Sequence, residues 1–139
     1  MPADEHIHLL RVRYSETDQM GTFYNSRPLE WFECGRTEWL RAAGMSYAEM
    51  EPRGLMLPLV EAHVKYVGRA RYDDLLQIGT RAAMAGKATL RFDVRIVQAQ
   101  GQAGVAEGYT LHAITDTAGK PIRPPAWFID LINKGAGAA

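Results

Sequence analysis

The sequence predicts an α+β domain of two layers, with one long helix lying across a mostly antiparallel sheet. Three observations carry that expectation. Residues 28 to 43 form a single long stretch whose apolar side chains recur at helical spacing. Four later segments alternate apolar and polar residues with a period of two. The short links AGKA (85 to 88) and QGQAG (100 to 104) read as hairpin turns, not as crossovers. One helix can cover so many strand faces only if it lies across a sheet that wraps it.

The first strand is predicted from Ile7 to Tyr14, where Ile7, Leu9 and Val12 are apolar and Arg11 and Arg13 intervene. The next stretch, SETDQMGTFYNSRP, is dense in turn formers and reads as a loop. Pro28 suits the first turn of a helix, where its missing N–H costs nothing, and Asn25 and Ser26 are the candidate caps. Gly44 is the stop signal. Leu29, Phe32, Leu40 and Ala43 make one apolar stripe, with Trp31, Gly35 and Trp39 beside it. A glycine inside a helix costs about 1 kcal/mol against alanine. Gly35 therefore predicts close packing on a flat surface such as a sheet. Ser46 and Glu49 are spaced as a capping box for a further helical turn.

After Gly54 the period changes. Val60, Ala62, Val64 and Tyr66 form one alternating set, and Leu76 to Met84 and Leu90 to Ile96 form the next two. Val105, Tyr109, Leu111 and Ala113 form the fourth, with Thr110 and His112 between. Each is expected to be half-buried with its apolar face inward. A short helix is predicted over about 125 to 132. With neither an internal repeat nor a linker, the chain reads as one domain over 1–139.

Composition narrows the function. Sixteen Lys and Arg balance sixteen Asp and Glu, so the basic excess of a nucleic-acid binder is missing. A single cysteine, Cys34, cannot close an internal disulfide or complete a Cys-rich zinc site. The first residues lack the basic start and apolar run of a signal peptide, and no stretch approaches the ~18 apolar residues that span a bilayer. The expectation is a soluble cytoplasmic domain without membrane or nucleic-acid partners.

Phosphate-loop, HExxH and Gly-x-Ser-x-Gly patterns are missing from the sequence. His6 and His8 near the terminus make a poor metal site and read as exposed. His63 and His112 read as hydrogen-bonded histidines on a sheet face, and Cys34 as a packing residue. The loop from Tyr14 to Tyr24 is different, because it feeds a helix start. Asp18 taken alone is a turn residue. Beside a helix N-terminus, a carboxylate meets backbone N–H groups that can hold an oxyanion, the minimum equipment for acyl transfer.

These residues carry a resemblance. Arg13-Tyr14, Glu16-Thr17-Asp18-Gln19-Met20-Gly21, Trp31-Phe32-Glu33 with Gly35-Arg36, Gly44 with Tyr47, and Lys65-Tyr66 followed by Ala70-Arg71-Tyr72-Asp73-Asp74 match the 4-hydroxybenzoyl-CoA thioesterase family of hot-dog-fold proteins. The match lies in the acyl-CoA thioesterase branch and extends over nearly the whole chain. It implies a curved antiparallel sheet wrapped around a central helix, and hydrolysis of an acyl-CoA thioester with Asp18 as the catalytic carboxylate. Whether Asp18 attacks the carbonyl or activates water is left open. The oxyanion donor implied is the backbone N–H of Asn25, with Tyr24 or Ser26 as neighbours.

Coenzyme A would enter as part of the substrate, with no separate cofactor and no metal. Its phosphates call for basic side chains. Arg69 and Arg71, in the matching loop, lead; Lys87 in the next turn and Arg91 on the following strand stand behind them. Many relatives carry His-Ala-Asn-Tyr where this chain has Asn25-Ser26-Arg27-Pro28. A backbone donor does not depend on those side chains, yet the departure keeps a non-catalytic acyl-ligand module as the alternative. A hydratase ranks lower, because Phe23 stands where a catalytic histidine is wanted. The resemblance also implies a homodimer joined edge to edge through residues 57 to 66, with the site between chains, and in many relatives a homotetramer.

Overall fold

The computed structural model describes residues 4–137. In chain order the elements are β1 (His6–Arg11), α1 (Arg27–Ala43), α2 (Tyr47–Met50), β2 (Leu59–Tyr66), β3 (Leu75–Gly86), β4 (Thr89–Gln98), β5 (Gly104–Ala113) and α3 (Ala126–Gly135). The strands form one sheet in the order β1-β3-β4-β5-β2, and every neighbouring pair is antiparallel. β1 and β2 are the edges.

α1 lies on the inner face. Its central Gly35 sits so close to β3 that a Cβ there would lie 2.8 Å from Ile78 Cγ2 and would also strike Thr80 Oγ1. That contact is the close approach expected from a helical glycine. One turn earlier, Phe32 lies against Gly108, where a Cβ would come within 3.2 Å of the Phe32 ring. Leu76, Ile78, Leu90, Phe92, Val94 and Ile96 complete the buried layer beneath the helix. α3 crosses α1 at Trp39 and Ala43, made possible by Gly135, whose absent Cβ would lie 2.9 Å from that of Ala43. The helix at the C-terminus thus runs three residues past its expected end, into the GAGAA tail; residues 138 and 139 lie outside the described residues.

Three expectations about faces need correction. On β5 Val105 is buried as expected, but in the second half of the strand the buried residues are Thr110 and His112, while Tyr109, Leu111 and Ala113 point outward and are only half-buried. A one-residue change of phase turns every side chain to the other face. Here the polar pair is tolerated inside because it is satisfied. His112 Nε2 lies 2.9 Å from Thr110 Oγ1, and its Nδ1 lies 3.0 Å from the Leu57 carbonyl. On β1, His6, His8 and Leu10 stand opposite Thr80, Ile78 and Leu76 and so share the inner face, whereas Leu9 is exposed. The two histidines are half-buried beside α1 rather than exposed. On β2 only Val64 is half-buried, and Val60, at 61% exposure, is typical of the rest. The helix covers little of this strand. At α2, Ser46 takes the N-cap position, but its hydroxyl meets Glu49 Oε1 at 3.2 Å instead of a backbone N–H.

Candidate active site

Asp18 sits in a tight loop closed by the bridge between Thr17 and Phe23. Its N–H donates to the Thr22 carbonyl at 2.8 Å, and its own carbonyl accepts from Gly21 N–H at 3.0 Å. Gly21 has φ +81° with nothing near its missing Cβ, so the turn selects glycine for backbone freedom alone. Asp18 Oδ1 accepts from Met20 N–H at 2.9 Å, the turn bond expected of an aspartate. Oδ2 has no hydrogen-bond partner among the described residues, which leaves half the carboxylate for chemistry. The side chain is half-buried.

Glu16, two residues earlier, anchors this loop, and sequence reasoning missed its role. It is only 3% exposed. Its carboxylate accepts from Arg13 N–H at 2.7 Å and from the Trp31 indole Nε1–H at 2.8 Å, with the Arg13 guanidinium 3.5 Å away. Burial alone would raise its pKa, but these donors and the Arg13 charge hold it below its ordinary value. The Glu16 carbonyl accepts from Tyr24 N–H at 2.8 Å. Glu16 thus ties the loop before Asp18 to the helix after it. The usable signal was a glutamate two residues before the aspartate, paired with an indole on the helix face that follows.

At the start of α1, Ser26 is the N-cap, with no bond from its side chain to the helix. The N–H of Tyr24 is taken by Glu16, so it is not available as an oxyanion donor. The N–H groups of Asn25 and Ser26 have no acceptor among the described residues, and a helix start leaves such donors unpaired unless something outside supplies a partner. They share the positive end of the helix dipole. The Tyr24 side chain is half-exposed. Arg27 holds the junction from outside, donating to the Ser15 carbonyl at 3.1 Å and to Glu30 at 2.8 Å.

Arg69 and Arg71 are brought to this loop through Ala70 between them. The Ala70 carbonyl accepts from Phe23 N–H at 3.0 Å and from the Thr22 hydroxyl at 3.2 Å. Both arginines are exposed, and their guanidinium groups have no acceptor among the described residues. Asp74 fixes the loop, its Oδ2 accepting from Arg71 N–H at 2.8 Å and from Gln98 at 3.0 Å. Lys87 and Arg91 are not brought here. Lys87 lies in the β3–β4 turn, at the far end of a strand of 12 residues from Asp74, roughly 35 Å of extended chain. Arg91 points from the outer face, held by Asp93 at 3.0 Å and lying 4.1 Å over the Tyr109 ring. It belongs to an outer groove of about 440 Å³ with Arg81 and Arg95, which pair with Asp4 and Glu5. Within one chain, that groove is on the other side of the sheet from α1.

The remaining candidates have structural surroundings. His63 stacks on Tyr109 with ring centroids 5.5 Å apart. Buried His112 has its pKa pushed down to about 4, chiefly by loss of water and further by the Arg36 charge. Burial pushes the Cys34 thiol up, away from thiolate chemistry. Among the described residues no cluster of three His, Cys, Asp or Glu side chains could hold a metal ion. No described helix is long and apolar enough to cross a membrane.

Known proteins resemble this arrangement. A Bacillus subtilis protein named as a putative acyl-CoA thioesterase, YneP, is 37% identical over 71 residues, which is 51% of each chain. The matched segment thus spans about half of that relative. The Haemophilus influenzae acyl-CoA thioesterase YbgC is 32% identical over 64% of this chain and 66% of its own. The crystal structure of a DHNA-CoA thioesterase from Staphylococcus aureus superposes with a TM-score of 0.84 at 26% identity, covering 96% of this chain and 89% of that one. The sheet wrapped on α1 is therefore the hot-dog fold. The family description "Thioesterase-like superfamily" matches residues 12–132, from just after β1 into the C-terminal helix, and the chain belongs to that family.

Proposed function

We propose that this protein is an acyl-CoA thioesterase, with Asp18 as its catalytic carboxylate and the Asn25 N–H as its principal oxyanion donor. One observation carries the reading. A carboxylate with one oxygen unpaired and a helix start with two unpaired N–H groups, among the described residues, are bound into one loop. The relatives named above as acyl-CoA thioesterases support the substrate class.

Two routes fit the arrangement. In one, Asp18 takes a proton from water as the water oxygen attacks the thioester carbonyl. In the other, Asp18 attacks directly, the C–S bond breaks, and water then hydrolyses the mixed anhydride. Both consume one water and yield a free acid and the CoA thiol. In both, negative charge grows on the carbonyl oxygen, where fixed N–H donors lower the barrier; losing one such donor costs about 3 kcal/mol. Neither route needs a metal or a cofactor beyond the substrate's own CoA. Arg69 and Arg71, both exposed on the neighbouring loop, would meet its phosphates.

The exposed inner face of β2, with Val60 and Tyr66, fits pairing with a second chain into a homodimer, and such dimers can pair again into a homotetramer. The proposed setting is the cytoplasm. The test is hydrolysis of a panel of aromatic and aliphatic acyl-CoAs, read by thiol release. Turnover of at least one ester is expected. Tight binding of the esters without thiol release would select instead a non-catalytic acyl-ligand module, the reading favoured by the Asn25-Ser26-Arg27-Pro28 departure.

A further inference from the structure

We propose that Tyr66, on the edge strand, is a positioning residue that orients the second oxyanion donor, the N–H of Ser26. The inference rests on the reading given under Proposed function and deepens it. The start of α1 presents two successive peptide units in the same condition. In the first, the Tyr24 carbonyl accepts from Arg27 N–H at 3.0 Å, and the N–H of that peptide, on Asn25, is unpaired among the described residues. In the second, the Asn25 carbonyl accepts from the Tyr66 hydroxyl, and the N–H of that peptide, on Ser26, is likewise unpaired. A trans peptide is planar, so its C=O and N–H point in opposite directions. Fixing one fixes the other.

The two peptides are fixed by different means. The first uses the local backbone. The second cannot close the equivalent turn, because the residue three positions after Asn25 is Pro28, which has no N–H. Tyr66 supplies the missing donor from 41 residues away. Its ring is held for the task. It stacks on Phe23 with centroids 6.1 Å apart and planes within 18°, and Phe23 leans on Trp31 at 5.3 Å. Trp31 in turn is bonded to Glu16. A continuous set of contacts therefore runs from the loop that bears Asp18, through the three aromatic side chains Trp31, Phe23 and Tyr66, to the carbonyl behind Ser26. Donation by the hydroxyl also polarises that peptide, making its N–H a better donor. Because Tyr66 belongs to the edge strand, the edge proposed to join two chains also sets an active-site donor.

The experiment is Tyr66→Phe, which keeps the ring stack and deletes only the hydroxyl. With an acyl-CoA that the wild type hydrolyses, kcat should fall about tenfold, less than for outright loss of a donor. KM should stay within about twofold, since the ground-state ester hardly uses the oxyanion donors. In the same variant the Ser26 amide resonance, read by NMR on the folded protein, should shift. An unchanged kcat, a rise in KM at constant kcat, or an unmoved Ser26 resonance would overturn the proposal. If the wild type hydrolyses nothing, the thioesterase reading fails, and the Ser26 resonance still decides whether Tyr66 orients that peptide.

Discussion

Replacing Glu16 with alanine tests how the Asp18 loop is held. The substitution removes the acceptor for two N–H groups, those of Arg13 and of the Trp31 indole. A buried donor left unpaired costs about 1–3 kcal/mol, with bonds to charged groups at the upper end. The indole, on a residue only 1% exposed, bears the full penalty. The Arg13 N–H lies nearer water and bears less. The sum is ~3 kcal/mol, which for a domain of this size lowers Tm by roughly 10 °C. Activity should fall as well, because Glu16 positions the loop without touching the thioester. Thermal melting and thiol release on one preparation are the assay. Glu16→Gln, which keeps an acceptor oxygen, should recover part of the Tm. The effect also has a pH signature. The folded pKa of Glu16 lies below its ordinary 4.5. Its contribution is therefore fully present well above that value and is lost as pH falls through the lower folded pKa. The Glu16→Ala penalty should shrink in acid. A Tm within about 2 °C of wild type at neutral pH would rule out Glu16 as the anchor of this loop.

Other outcomes follow from single residues. His112 titrates near 6.5 when unfolded and near 4 when folded, so only the unfolded chain binds its proton in that window. Stability should decline by up to ~3 kcal/mol between those limits as pH falls, and His112→Gln should flatten that part of a denaturation–pH profile. Gly35→Ala should destabilise by about 1–3 kcal/mol in urea melts despite its better helix propensity, because the new methyl meets Ile78 and Thr80. Ala62→Pro, on the exposed edge strand, should shift sedimentation toward monomer and lower turnover together. A stable wild-type monomer at micromolar concentration would count against a shared site.

The helix and strands were legible because their signals are local. Pro28 and Gly44 bracket α1 closely, and Gly35 announced its packing on the sheet. The facing of β5 was not legible. Apolarity argued for Leu111 inside, but burial followed the Thr110–His112 pair, whose second partner is a carbonyl 55 residues away. Asp18, Asn25 and the Arg69–Arg71 loop could be named from the sequence. Their union could not, since it depends on Ala70 meeting Phe23 across a gap of 47 residues. Lys87 was grouped with the arginines on the strength of its charge, and strand length separates them. Tyr66 stood in the family match, but its proposed role was not legible, because that role exists only once the edge strand lies beside the helix start.

Exchange of Asp18 for its amide asks most directly whether its carboxylate drives thioester cleavage. Asp18→Asn keeps an acceptor for Met20 N–H and so preserves the turn. With the best ester of the panel, a catalytic Asp18 requires a loss in kcat of about 10²–10⁴-fold, with unchanged affinity for a non-hydrolysable CoA thioether. Turnover within a few-fold of wild type would contradict it.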